Sequence, residues 1–313
     1  MILLATNKRD VTTDMVALEL RRRGVPSFRL NTEDIAEFEV AMPEGDPSAL
    51  RLAGPGGSVD LADVTGAYYR RPGTPQPRHP DAGVAAHLAS EWAAVLRTMW
   101  NALDGRWLNS PFAILRAEDK PRQLAAARAA GMATPSTLVG NDFARAVDFV
   151  GRAPSVAKPL RHALVDDGAL GSVIFTSRLH HSLADTDAAA VRRAPVIWQH
   201  EVPKRADVRA IVVDHAVFAT RIGSQEREET AVDWRRGADL DLAHEPMDLP
   251  AAEAVGCVAV TAALGLRFAA IDLVEDREGR LWFLEANPNG QWGWIEQRTG
   301  ARIAAAIADA LSR

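Results

Sequence analysis

The chain has 313 residues, 47% apolar and 25% charged, with a formal net charge of −5. That balance belongs to a globular protein and excludes a disordered chain or one whose main task is to neutralise nucleic-acid phosphates. No apolar run reaches the roughly 20 residues of a membrane span, so neither a membrane nor nucleic acid is expected as a partner.

The length exceeds the usual single core, and two or three domains are expected. The opening MILLATNKRD reads as a short strand without the features of a signal peptide, which predicts a cytoplasmic protein. Residues 1–112 alternate strands and helices: ILLAT, a helix over DMVALELRRRG closed by Gly24, SFRLN, then GAYYRRP. A long amphipathic helix follows from about Asp81 to Leu103, with Trp92, Met99 and Trp100 as a packing stripe. The order predicts an open α/β domain.

In residues 113–196, Asp119-Lys120-Pro121 opens a helix with Asp as N-cap and Pro in the first turn, closing at Gly131. A short helix over DFARAVDFVG, the strand SVAKPL, the polar VDDGALG and the strand SVIFTSRL then predict a small α+β subdomain with a hairpin. In residues 197–313 the strands continue with VIWQHEV running in from residue 196, DVRAIVVD and AVFATRI. EAVGCVAVTAALGL is a helix, AAIDLVED and RLWFLEAN form a hairpin across Arg277-Glu278-Gly279, and ARIAAAIADAL is a closing helix. Cys257, the only cysteine, lies inside a helical pattern and reads as a buried structural thiol. The fold class is mixed α/β (α+β).

The stretch FLEANPNG, residues 283–290, ends an apolar run in Glu285 and Asn287, which share a face of a strand. The hairpin can bring Asp272 beside Glu285. Two carboxylates and an amide oxygen brought together suit a hard cation such as Mg²⁺ that shares its shell with phosphates. The alternative is that Asp272 pairs with an arginine and Asn287 merely begins a turn. No Walker-type loop and no G-x-G-x-x-G is present, so side chains must hold any phosphate. Only four of 36 basic residues are lysine: Lys8, Lys120, Lys158 and Lys204. Lys120 and Lys158 are phosphate-seeking point charges. In WQHEVPKRADVRAIVV, alternation puts Asp207 and Arg209 on one face with Lys204 just ahead; a simple surface ion pair is the alternative.

Taken in order, Lys120, Lys158, the QHEV segment, Asp207 with Arg209, then Asp272, Glu285 and Asn287 resemble the ATP-grasp superfamily over roughly residues 115–300. The resemblance implies ATP between a lid subdomain and the C-terminal domain. Lys120, Lys158 and Lys204 would serve the nucleotide, Gln199, His200, Glu201 and Val202 would meet adenine through their backbone, and Asp272, Glu285 and Asn287 would hold Mg²⁺. Arg209 and Asp207 would be the catalytic pair.

YYRRP (68–72), WLNSP (107–111), KRADVR (204–209), VDWR (232–235) and FLEANPNGQWGWIE (283–296) extend the similarity to ligases that make microviridin-type graspetides. That resemblance implies an N-terminal pre-ATP-grasp domain, a ribosomal precursor peptide with leader and core as partner, and a homodimer. It also implies the reaction: Glu or Asp side chains become acyl phosphates, and Ser/Thr hydroxyls or Lys amines attack to give macrocyclic esters or amides. The loop VDDGALGS departs from the superfamily in having few glycines; it is assigned no phosphate contact and is expected to face the leader instead. A ligase for a free amino acid or small carboxylate, and a non-catalytic nucleotide-binding scaffold, are the alternatives. His162, His180, His181 and His244 read as surface or hydrogen-bonding residues, and Trp292 and Trp294 as packing residues, with flanking of a peptide-binding cleft as the alternative. For Arg70 and Arg71 a structural and a substrate-facing role are both open.

Overall fold

A computed structural model describes residues 1–160, 164–165, 172–173, 176–179, 183–226, 232 and 242–313. His162, His180, His181, Asp233–Arg235 of VDWR and residues 166–171 of VDDGALGS lie outside the described residues.

The Ile2–Thr6 strand is apolar and buried along its length, as suits the centre of a parallel sheet covered on both faces. Ser27–Asn31 and Gly66–Tyr69 flank it in parallel. The Val11–Arg22 helix between the first two strands starts where Asp10 accepts the Thr12 N–H. An antiparallel sheet of Glu39–Ala41, Arg51–Gly54 and Gly57–Asp60 follows. The Ala82–Ala102 helix, capped by Asp81, buries Met99 and Trp100, with Trp92 at the margin; these meet Leu30, Leu52 and Val59 in one core.

The central region is a four-stranded antiparallel sheet in the order Ser177–Arg178, Ser155–Lys158, Val196–His200, Thr137–Gly140. The Phe143–Val150 helix lies on it, packing Ala146 and Val150 against Trp198 and Val191. SVIFTSRL is not one strand. Ser172–Val173 pairs with Leu164–Val165, whereas Ser177–Arg178 pairs with Ser155–Lys158; the two ends answer to different partners, which an apolar run cannot reveal.

The largest sheet is antiparallel, in the order His244–Met247, Ala216–Ile222, Lys204–Val213, Phe268–Asp276, Leu281–Asn287. The helices Lys120–Ala129 and Ala251–Ala263 cover one face over Val208, Ala210, Val212 and Ile271. On the other face Ile211, Val213, Phe268 and Ala270 share a core with Ile2, Leu4, Tyr68 and the Ile303–Leu311 helix. That shared core fixes the N-terminal sheet against the C-terminal one. Asn109 reinforces the join: Nδ2 donates to the carbonyls of Phe268 (2.7 Å) and Pro288 (3.1 Å), and Oδ1 accepts the N–H groups of Arg267 and Phe268. All four of its hydrogen-bonding positions are used. Among the described residues no helix is long and apolar enough to cross a membrane.

Candidate active site

The site starts from a one-residue irregularity. Along the last two strands Leu273 pairs with Phe283 and Asp272 with Glu285, so Leu284 is an extra residue. A bulge of this kind reverses the alternation of faces. Leu281 and Phe283 go into the core under the helices, whereas Glu285 and Asn287 turn to the other face beside Asp272. Asn287 Nδ2 donates to Asp272 Oδ2 (3.1 Å) and Glu285 Oε1 (3.3 Å). An amide nitrogen thus occupies the place between two carboxylates where a cation's charge would serve, and a half-turn of the amide presents Oδ1 instead. Two carboxylates and an amide oxygen, all hard donors, fit Mg²⁺. Gln123 sets the strand end: its Nε2 donates to Ala286 O (2.8 Å) and its Oε1 accepts the Ala286 N–H (3.0 Å).

Cations surround these carboxylates. Arg209, opposite Asp272 on the neighbouring strand, donates Nη1 to Asp272 Oδ1 at 2.5 Å and Nη2 to Gln291 O at 3.3 Å. Its Nε is buried with no partner among the described residues. Asp272 therefore shows both features weighed for it, an arginine partner and a place in the oxygen cluster. Lys120, at the start of its helix, lies 3.5 Å from Glu285 Oε2 and donates to Pro159 O (3.2 Å). Lys204 donates to Asp207 Oδ2 at 2.6 Å and to Val232 O at 3.3 Å, so Asp207 is a carboxylate partner of Lys204 while Arg209 has Asp272.

Beside them runs the strand carrying Gln199. Lys158 donates to Gln199 Oε1 (2.7 Å), and Gln199 Nε2 to Thr137 Oγ1 (3.0 Å). The His200 ring stacks on Phe149 at 4.3 Å. The N–H groups of His200 and Glu201 are already spent on Ser136 O and Pro154 O, and the Glu201 carboxylate is held by Arg178. Val202 lies between the two strands, just before Pro203, and its N–H has no partner among the described residues.

The N-terminal sheet reaches the site through Arg70. Its side chain is 1% exposed; Nε donates to Thr12 Oγ1 (3.1 Å), Nη1 to Asn289 O (2.5 Å) and Nη2 to Gln291 Oε1 (2.8 Å), with Asp10 at 3.7 Å. Arg70 is thus a structural tie between the first sheet and the 289–291 loop. Gly290 lets that loop close: a Cβ there would lie 2.3 Å from Ala270 Cβ and 2.7 Å from Arg209 Nη2. Trp292 is buried with its N–H on Tyr68 Oη (3.3 Å), Trp294 packs against the His244 ring, and His244 is engaged by Leu242 O and Arg298. Sequence reasoning missed Gln123, Gly290 and Gln291. Gln123 stands three residues after Lys120, and so on the same helix face, which was the available signal.

A small sheet carrying Lys158 and a large antiparallel sheet carrying the hard oxygen donors, with Lys120 reaching Glu285 from a helix on the large sheet, make the arrangement of an ATP-grasp protein. Residues 117–311 match the RimK-like ATP-grasp domain, and residues 1–114 match the MvdD pre-ATP grasp domain. The chain belongs to the RimK-like ATP-grasp family. It is 29% identical over 203 residues to a protein of Mannheimia succiniciproducens named "Probable alpha-L-glutamate ligase", a match covering 63% of this chain and 64% of the other. The chain thus spans less than two thirds of that relative's length. Among solved structures it is similar to a Chryseobacterium gregarium RiPP-associated ATP-grasp ligase in complex with ADP, and a leader and core peptide. The TM-score is 0.88 at 24% identity, covering 99% of this chain and 96% of that one. It is also similar to macrocyclase MdnB from Microcystis aeruginosa, with TM-score 0.79 and 27% identity over 99% and 98% of the two chains.

Proposed function

We propose that the protein is an ADP-forming ligase that uses ATP to activate Glu or Asp side chains of a ribosomal precursor peptide and joins them to Ser/Thr hydroxyls or Lys amines of the same peptide. The observation that carries this reading is the N-terminal domain. Residues 1–114 match the pre-ATP grasp domain of MvdD, and the same domain supplies two consecutive arginines, Arg70 and Arg71, to the loop beside the oxygen cluster. The macrocyclase and the RiPP-associated ligase are similar over 99% of this chain, which supports a peptide as acceptor. The division into 1–112, 113–196 and 197–313 as pre-ATP-grasp domain, lid and C-terminal domain is part of the same proposal.

A carboxylate is a poor electrophile. Transfer of the γ-phosphoryl group turns it into an acyl phosphate; the hydroxyl or amine then attacks the carbonyl carbon, and inorganic phosphate leaves. The protein's work is positioning and neutralising charge. Mg²⁺ held by Asp272, Glu285 and Asn287 would offset charge on the terminal phosphates. Lys120 and Lys158 bind those phosphates as point charges, and Arg209 steadies the transferring group with its planar fork. Arg209 already has an orienting carboxylate in Asp272, so Asp207 is assigned to the proton of the attacking group. Gln199 to Val202, with Lys204, border the adenine end, where the Val202 N–H is the donor on offer.

A second reading, ligation of a free amino acid, is favoured by the 29% identity to a named glutamate ligase. Intact mass spectrometry separates the two. A short Thr/Ser/Glu/Asp-rich peptide encoded beside the gene is incubated with the protein, ATP and Mg²⁺; loss of one water mass per bond, only with ATP, supports the peptide ligase. An unchanged peptide with ATP turnover on free glutamate moves the assignment to the second reading.

A further inference from the structure

Three guanidinium groups converge on the 289–291 loop, and they are not equivalent. Arg209 faces Asp272 and Arg70 lies 3.7 Å from Asp10. Among the described residues Arg71 has no carboxylate within ion-pair distance and no bond at either Nη; its Nε donates to Asn289 O at 3.2 Å. Among the described residues its positive charge is unmatched, and the two Nη groups of its planar fork remain to be used.

The backbone around Arg71 is built to hold it there. Arg71 takes a left-handed φ of 46° although it carries a side chain and precedes proline, a conformation that needs outside support. Asn7 Nδ2 donates to Arg71 O at 2.6 Å, and Thr32 Oγ1 donates to Gly73 O at 2.7 Å. Gly73 lies so close to Glu33 that a Cβ would stand 2.5 Å from its carboxyl carbon. Strain of this sort, clamped on both sides, is found where a side chain must be aimed. The side chain is exposed by area yet walled by protein: burial, then the cations of Arg70 and Arg209, push the guanidinium below its ordinary pKa, with Asp10 only partly opposing them. An anion is what such a group lacks.

We propose that Arg71 binds the substrate carboxylate that is to be phosphorylated, through a bidentate pair from its two Nη groups. This rests on the ligase reading above. The planar fork matches a carboxylate, and Arg71 enters from the N-terminal domain, whereas Lys120, Lys158 and Gln199 belong to the elements assigned to the nucleotide. The side chain would hold the acyl oxygens next to Arg209 while the terminal phosphoryl group is transferred.

The test uses the full chain and its Arg71→Ala and Arg71→Lys variants, with ADP release measured on the neighbouring precursor peptide and separately on L-glutamate. The expected result is a rise of about 100-fold in KM for the carboxylate substrate in Arg71→Ala, with partial recovery in Arg71→Lys, and KM for ATP and the melting temperature unchanged. Replacing the reacting Glu of the peptide by Gln should weaken binding to the wild type and not weaken it further in Arg71→Ala. Normal KM in Arg71→Ala, or equal losses for ATP and substrate, would overturn the assignment. A wild type that turns over on glutamate alone, with Arg71→Ala defective there, removes the peptide reading and keeps Arg71. A wild type inactive on both removes both.

Discussion

Arg209 and Asp272 sit opposite each other on paired strands, 2.5 Å apart, so a residue assigned to phosphoryl transfer is paired with one assigned to the metal. Each offsets the charge of the other through Oδ1, while Asp272 Oδ2 faces Asn287 and is the oxygen available to a cation. Arg209→Ala should leave ATP affinity within about 3-fold and lower ligation by roughly 10²–10³-fold, the cost of losing one transition-state donor. It also removes the arginine partner of a largely buried carboxylate, at about 3 kcal/mol. The variant should therefore melt lower without metal and recover more stability from Mg²⁺ than the wild type. A thermal melt with and without Mg²⁺, beside an ATP titration, checks both; unimpaired ligation would remove Arg209 from the mechanism.

Gly290→Ala tests whether the loop must close on Arg209. The added methyl would stand 2.3 Å from Ala270 Cβ and 2.7 Å from Arg209 Nη2, and Ala270 belongs to the shared core. The loop has to lift, which costs about 1–3 kcal/mol as an overpacked site. Lifting it also moves Asn289 and Gln291 away from Arg70 and Arg71. The expected result is a folded protein with a lower melting temperature and ligation reduced at least 10-fold; wild-type turnover would show that the loop is free to adjust.

The polar residues that interrupt apolar strands were legible: Asp272 and Arg209 stand out because their strands are buried on both faces, and Glu285 and Asn287 because they end an apolar run. What the strings could not carry is register. The extra residue Leu284 exists only relative to the facing strand, and it explains why Phe283 goes into the core while Glu285 turns to Asp272. The Glu39–Asp60 sheet was missed because its strands are only three or four residues long, too short for alternation to show. Arg209 and Asp207 do share a face, but the partner of each is set by pairing and by Lys204, neither of which alternation predicts.

Asp10 makes stability depend on acid. Burial alone would raise its carboxyl, but hydroxyl donors on Thr12, Thr13 and Thr6 and the charge of Arg70 outweigh it and leave the group below the usual range. A lowered folded pKa contributes stability that is fully present above the unfolded value of about 4 and is lost as pH falls through the folded value. Glu19, held at about 2 by Arg22 against a smaller opposing effect of burial, with Arg23 adding to it, acts in the same window. The urea midpoint should therefore fall steeply between about pH 4 and pH 2. Asp10→Asn should lower it at pH 7 by about 1–3 kcal/mol in stability, through unmatched hydroxyl donors, and flatten the acid slope. An unchanged slope would show that Asp10 is not a source of it.

Cys257 should be chemically silent. It is fully buried in the Ala251–Ala263 helix, and burial, with Glu253 adding to it, pushes the thiol up to about 12. The thiolate is the reactive form, so at pH 8 almost none is present. A thiol reagent should leave the native protein unlabelled and ligation intact, and should label one site per chain in denaturant; rapid native labelling would mean that the helix opens.

Asn287→Asp is the sharpest probe of the oxygen cluster, because it changes charge at one point and keeps the shape. The amide nitrogen now donates to both Asp272 and Glu285; a carboxylate in its place offers no donor and adds a third negative charge. Without metal the three should repel and lower stability by roughly 1–3 kcal/mol. With a divalent cation they become a stronger oxygen set, since added ligand charge raises affinity for hard cations. The melting temperature should therefore fall in chelator and rise with Mg²⁺ more steeply than that of the wild type, in the absence of nucleotide. Activity is a poorer readout, because a metal held too tightly can slow product release. Equal Mg²⁺ dependence in the two proteins would mean that Asp272, Glu285 and Asn287 do not hold a metal together.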